Sequence, residues 1–303
     1  MDRIIKLSDL DAYIERQTAR KKLVVVAAHD EPVLDAALIA QKNGIVEPIL
    51  VGDEPKIRKI AKSQGHDLSG AQIINEPDNE KAAELSVALI HDKKGDILMK
   101  GLIDSATYLR PVLNKTTGLR KGEGLSSIAI IELKNYHKLF MLTDGGLNID
   151  PDLKMKIAIL KNAVFFMRRL GIETPKVAVL GAYELINETM EATVHAALLS
   201  KMAQRGQLRN CIIDGPLSID NAISRQSAEY KGIVNEVAGD ADILLCPNIE
   251  MANVLYKSVV YFANANCAAL IVGASAPIIL TSRSDSESVK LNSIKLAAVV
   301  DMS

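Results

Sequence analysis

Apolar positions along the chain come in two rhythms: short β-branched runs, and longer stretches in which apolar residues recur at three- and four-residue steps. The first kind predicts strands at 23–28 (LVVVAA), 48–51 (PILV), 71–74 (AQII), 96–100 (DILMK), 127–133 (SIAIIEL) and 139–143 (LFMLT). Further strands are predicted at 176–181 (KVAVLG), 211–214 (CIID), 242–246 (DILLC), 268–273 (AALIVG) and 277–281 (PIILT). Runs this apolar are buried on both faces, as in parallel sheets covered by helices.

The second rhythm predicts helices between the strands. Pro32 follows Asp30-Glu31 at a first-turn position, and Gly44 closes that helix. Asp150-Pro151 opens a long helix with Ile157, Leu160, Val164 and Met167 on one face and Gly171 at its end. Another runs from about Asn187 to Arg205 and stops at Gly206, and SATYLRPVLNK (105–115) has a helical pattern. The alternation reads as α/β, with mostly parallel sheets wound on both faces. No low-complexity linker interrupts it. A change of domain falls near 148–152, where a hairpin-like pair of strands (127–143) gives way to the long helix.

A length of 303 residues fits about two such domains. The formal net charge of −1 provides no basic field for nucleic acid. The start, MDRIIKLSDLDAYIERQTARKK, is charged throughout, unlike the apolar core of a secretory signal. No stretch reaches the roughly 18 apolar residues of a membrane span; CAALIVGASAPIIL (267–280) is interrupted by Gly, Ser and Pro and reads as two strands joined by a turn. Cys211, Cys246 and Cys267 are odd in number and form no C-x-x-C, so the expectation is reduced, buried thiols in a cytoplasmic protein. Five scattered histidines (29, 66, 91, 137, 195) give no metal-binding spacing, and no metal or bound cofactor is expected. The chain has no G-x-G-x-x-G and no G-x-x-x-x-G-K-[ST], which weighs against dinucleotide binding and ATP hydrolysis.

In open α/β sheets ligands bind beyond the carboxyl ends of the strands. Residues just past the predicted strands are therefore candidates for binding: His29-Asp30, Lys100-Gly101, Thr143-Asp144-Gly145-Gly146 with Asn148 nearby, Asp214-Gly215-Pro216, and Thr281-Ser282-Arg283-Ser284-Asp285-Ser286. The last segment joins a strand to a helical pattern and puts hydroxyls, a guanidinium and free N–H groups at a helix N-terminus, which suits a phosphoryl oxyanion. The alternative is that Ser284 or Asp285 caps the helix and Arg283 forms a surface ion pair. Arg110, before Pro111, could reach a phosphate or be a solvated helix charge. Asp144 and Asp214 could equally be turn residues bonded to their own backbone. No cysteine stands at a strand end beside a basic partner, so a cysteine-bound acyl intermediate is not expected.

The segments AAHDEPVLDA (27–36), MKGLIDS (99–105), YLRPVL (108–113), LTDGGLNIDPDL (142–153), LSKMAQRGQLRNCIIDGPLSIDNAIS (199–224) and VGASAPIILTSRSDS (272–286) together resemble the phosphate acetyl/butyryltransferase family, closest to its butyryl branch. The resemblance implies two α/β/α domains like those of isocitrate and isopropylmalate dehydrogenases, with a cleft between them. It puts the first domain at 1–148 plus 277–303 and the inserted second domain at 149–276. A homodimer or higher homo-oligomer is implied, with acyl-CoA, CoA and phosphate as partners and neither nucleic acid nor membrane. The implied reaction turns a short-chain acyl-CoA, butyryl-CoA first, and inorganic phosphate into acyl phosphate and CoA by direct transfer in a ternary complex.

The family's last-loop Ser-Arg pair matches Ser282-Arg283, and its arginine before proline matches Arg110. The acetyl branch has a carboxylate further into the last helix, where this chain has Val289, so Asp285 becomes the substitute base. The resemblance thus implies Ser282 and Arg283 as catalytic, with Asp285 as the substitute base, and Arg110 as substrate-binding; the reading of the strand ends adds Lys100, Thr143, Asp144, Asn148, Asp214 and Thr281 as substrate-binding candidates. Ser127 stands where butyryl-type relatives often have His. The rival expectations are an acetyl-specific enzyme of the same family, a metal- and NAD-dependent hydroxy-acid dehydrogenase on the same fold, and a non-catalytic CoA-binding protein.

Overall fold

The computed structural model describes residues 3–282 and 284–300. Eleven strands and eleven helices are found among them, and each of the predicted apolar runs is a strand. Two compact units share the chain. The central unit comprises Met1–Leu7 and Glu123–Cys267, and the terminal unit comprises Ser8–Gly122 and Ala268–Ser303.

The terminal unit carries β1 (Lys21–Val26), β2 (Val46–Gly52), β3 (Gln72–Asn75), β4 (Ile97–Lys100), β10 (Asn266–Val272) and β11 (Ile278–Ile279), in the order β3-β2-β1-β4-β11-β10. Neighbours are parallel except β10, which runs antiparallel to β11 with Ile271 opposite Ile278. This is the pair of strands read from 267–280. Val24, Val25, Leu98, Met99, Ile278 and Ile279 are buried completely, as strands covered on both faces require.

Four helices of this unit start by one device. An aspartate caps α2 (Glu31–Lys42), α3 (Glu54–Gln64), α4 (Asn79–His91) and α5 (Ser105–Val112). Asp30, Asp53, Asp78 and Asp104 accept the N–H groups of Val33, Lys56, Lys81 and Thr107 at 3.3, 3.1, 3.0 and 2.9 Å. Such a cap is worth about 1 kcal/mol. α1 (Asp9–Glu15) and α11 (Glu287–Val299) complete the unit.

The central unit carries β5 (Ser126–Glu132), β6 (Phe140–Thr143), β7 (Lys176–Leu180), β8 (Ile212–Leu217) and β9 (Ile243–Leu245), in the order β5-β6-β9-β7-β8, parallel except for β5. Its long helices are α6 (Leu153–Arg169), α7 (Glu191–Gln204) and α10 (Ile249–Ala263), with short α8 (Ile219–Ile223) and α9 (Arg225–Tyr230) between. Gly171 and Gly206 follow α6 and α7 at φ +82° and +72°, which glycine adopts without steric cost. The compact units divide at 7/8, 122/123 and 267/268, whereas the resemblance put the domain boundaries at 148/149 and 276/277. The hairpin β5–β6 goes with the central sheet because Met141, Leu142 and Thr143 pair with Ile243, Leu244 and Leu245 of β9. β10 goes mostly with the terminal unit because it pairs with β11.

α10 is unusual. Of its residues only Ala252 is buried, and Val254, Tyr261 and Phe262 are exposed. No helix among the described residues is long and apolar enough to cross a membrane.

Candidate active site

In the terminal unit a cavity of about 420 Å³ opens where β1, β4 and β11 end. These three strands are adjacent and parallel, so their carboxyl ends converge on one edge. His29, Lys100, Gly101, Thr281, Ser282 and Lys290 line it, together with the first turn of α2. The backbone is drawn tight here. The N–H groups of Gly101 and Leu102 donate to the carbonyls of Val26 and Ala27, each at 2.9 Å. A Cβ on Gly101 would lie 2.5 Å from the Ala27 oxygen and 2.6 Å from that of Val26, so only glycine lets β4 turn over the end of β1.

Two lysines stand in this cavity. Lys100 ends β4, is 9% exposed, and its ammonium lies 3.4 Å from the Gly101 carbonyl. Lys290, on α11, is 3% exposed and donates to the Asp285 carbonyl. His29 is half-buried and its Nδ1 accepts the Asp53 N–H at 3.4 Å. Burial, and then the charge of Lys56, hold its pKa below the ordinary histidine value. A neutral ring that accepts at Nδ1 carries its proton on Nε2.

The segment after β11 folds on itself. The Ser282 N–H donates to Asp285 Oδ2 at 2.7 Å, the Ser282 and Ser284 hydroxyls are 3.0 Å apart, and the Asp285 N–H donates to the Ser282 carbonyl at 3.1 Å. The cap of α11 is Ser286, whose Oγ accepts the Val289 N–H at 3.4 Å; neither Ser284 nor Asp285 takes that place. Arg283 lies outside the described residues.

The remaining sequence candidates are not among the residues that line this cavity. Arg110, on α5, pairs with Glu80 at 3.1 Å and lines a separate hollow of about 330 Å³ in the terminal unit. Thr143, Asp144 and Asn148 belong to the central unit and are tied to one another's surroundings. Asp144 is 2% exposed and accepts the Gly146 and Leu147 N–H groups at 3.0 and 3.1 Å, the Asn148 amide at 2.5 Å, and the Ser127 hydroxyl. The Thr143 hydroxyl donates to the Ser127 carbonyl at 2.8 Å. Asp214 is not past its strand: β8 continues to Leu217, and the Asn235 amide donates to the Asp214 carboxylate at 2.5 Å. Burial raises the Asp214 pKa above the usual carboxylate value. The structure therefore gathers Lys100, Thr281 and Ser282 in one cavity and adds Lys290, which reading the strand ends could not find.

Burial pushes the Cys246 thiol up to about 12 and that of Cys211 to about 11. Neither is a thiolate near neutral pH, as a nucleophilic cysteine would have to be. Among the described residues no group of three or more His, Cys, Asp or Glu could hold a metal ion.

Comparison with known proteins agrees with the segments quoted above. The family model described as phosphate acetyl/butaryl transferase matches residues 10–90 and 79–298. A phosphate butyryltransferase of Clostridium acetobutylicum is 49% identical over 280 residues, covering 92% of this chain and 93% of the relative. A phosphate acetyltransferase of Thermotoga maritima is 41% identical over 279 residues, covering 92% and 95%. The crystal structure of a branched-chain phosphotransacylase from Enterococcus faecalis superposes with a TM-score of 0.83 at 30% identity, covering 92% of this chain and 98% of that one.

Proposed function

We propose, for a chain that belongs to the phosphate acetyl/butaryl transferase family, that the acyl group it moves between CoA and phosphate is a short one, with butyryl preferred. The observation that carries the placement of the chemistry is the terminal-unit cavity, where Lys100, Thr281 and Ser282 meet at the carboxyl ends of three parallel strands.

In the forward direction a phosphate oxygen attacks the thioester carbonyl carbon. The C–O bond forms, the C–S bond breaks, and CoA leaves as a thiolate that takes up a proton. Phosphate is an anion, and the Lys100 ammonium together with the hydroxyls of Thr281 and Ser282 provides charge and donors for it. The N-terminal turn of α2, Glu31 to Val33, opens on the same cavity and adds a favourable dipole. The tetrahedral intermediate carries its charge on the former carbonyl oxygen. A fixed donor such as the Ser282 hydroxyl is worth about 3 kcal/mol to such an oxyanion. In reverse the CoA thiol must lose its proton, and Asp285 is the carboxylate nearest in sequence to Ser282. Its Oδ2 already accepts the Ser282 N–H, so it shapes the loop as well.

The preference for butyryl over acetyl rests on the higher identity to the Clostridium relative, 49% against 41%. The test is phosphate-dependent thiol release from acetyl-, propionyl-, butyryl- and isobutyryl-CoA. Butyryl-CoA should give the largest kcat/KM. A maximum at acetyl-CoA would reverse the preference, and thiol release that ignores phosphate would overturn the reading of the reaction.

A further inference from the structure

Lys290 occupies an unusual position for a lysine. It lies in the first turns of α11 on the wall of the cavity and is almost wholly buried. An ammonium has three N–H donors. One goes to the Asp285 carbonyl, and among the described residues no carboxylate pairs with it. The two acids on the same wall are engaged elsewhere: Asp30 caps α2 through the Val33 N–H, and Glu31 takes the Gln64 amide. A second buried ammonium, Lys100, lines the same cavity. Burying charge without a counter-charge is strongly unfavourable, and a second cation nearby adds to the penalty. The site is built for an anion that arrives from outside.

We infer that Lys290 is a substrate-binding residue, whose two spare N–H donors hold the oxygens of a phosphoryl group. The third donor keeps the Asp285 carbonyl and so fixes the loop that presents Ser282. The inference rests on the cavity being the reaction site proposed above. The phosphoryl group is that of inorganic phosphate or acyl phosphate, or one belonging to CoA.

The experiment uses the full chain and the variants Lys290→Met, Lys290→Gln and Lys290→Arg, with Ser282→Ala beside them and melting curves to confirm folding. Kinetics are measured with varied phosphate, and in reverse with varied CoA and dephospho-CoA. Lys290→Met should raise KM for phosphate about tenfold or more, the usual worth of a hydrogen bond to a charged group. Lys290→Arg should recover most of the loss. Lys290→Gln can still reach the Asp285 carbonyl but has no charge, so it should remain impaired; it also serves if Lys290→Met does not fold. A rise in KM for CoA that disappears with dephospho-CoA would support the inference and assign the group to the CoA 3′-phosphate. Wild-type behaviour of Lys290→Gln, or a fall in kcat with every KM unchanged, would overturn it and leave Lys290 a loop brace. If Ser282→Ala is impaired while the Lys290 variants are not, only the role of Lys290 fails. If Ser282→Ala is also normal, the cavity is not the reaction site.

Discussion

At the end of β6 the Asp144 carboxylate takes four donors, and at the ends of β7 and β8 the side chains of Glu184, Ser218, Asp220, Asn221, Ser227 and Lys231 close a second network within the central unit. At the ends of β4 and β11 in the terminal unit, Lys290 is as buried as Asp144 but has one partner for three donors. Both regions are polar clusters past parallel strands. One is closed on itself, and the other has donors to spare, which the inference above assigns to a ligand. A polar residue at a strand end marks the edge where sites form; a buried lysine with donors to spare on the wall of a cavity at that edge is what singles out one stretch of it.

Removing a hub from the closed cluster should have the largest effect on stability. Asp144→Ala removes the buried acceptor shared by four donors, and its unfolding free energy should fall by about 3 kcal/mol. Urea denaturation measures this, and a loss below about 1 kcal/mol would mean that the cluster is not closed in the sense described. Ser282→Ala probes the other region. Its stability should stay within about 0.5 kcal/mol of the parent, while kcat/KM falls about a hundredfold. A variant that unfolds early at full specific activity would invert the comparison.

A smaller effect comes from pH. Burial lowers the pKa of both His29 and His195, with Lys56 and Lys156 respectively as the next causes. Unfolded histidine titrates near 6.5, so below that pH the unfolded chain binds more protons than the folded one. Stability should fall as pH drops from about 7.5 to 5.5. The Lys156 ammonium lies 3.0 Å from His195 Nδ1. His195→Gln, whose amide oxygen can accept from Lys156, should flatten the decline in melting temperature. A melting temperature constant across this window in the parent would remove the histidines from the account.

Strands were legible because burial on both faces leaves an unbroken apolar run, as in Leu98-Met99 and Leu244-Leu245. The edge where Lys100, Thr281 and Ser282 gather was legible through the same rule. Sequence could not separate those residues from Thr143, Asp144 and Asn148, because pairing depends on what other segments bring. Ser127 is the partner that closes Asp144, and it lies seventeen residues away on a neighbouring strand. Asp214 misled because Gly215-Pro216 looks like a turn, whereas β8 runs through it. Lys290 left one trace. It shares a helical face with Ser293, Ile294 and Ala297, all buried, at steps of three, four and seven. A lysine on the apolar face of a helix needs a partner: Lys156 on α6 meets His195 Nδ1, whereas Lys290, among the described residues, meets only the Asp285 carbonyl. Arg110 interrupts no such face and pairs with Glu80.

The terminal unit is built from both ends of the chain. During synthesis β1 and β4 emerge early, yet β11, the Ser282 loop and Lys290 come only after the whole of the central unit. Domains form as units while the ribosome works, so this one waits unfinished until the closing residues arrive. If the reaction takes place in the cavity proposed above, a nascent chain cut short anywhere before β11 lacks both the Ser282 loop and Lys290 and should show no acyl transfer.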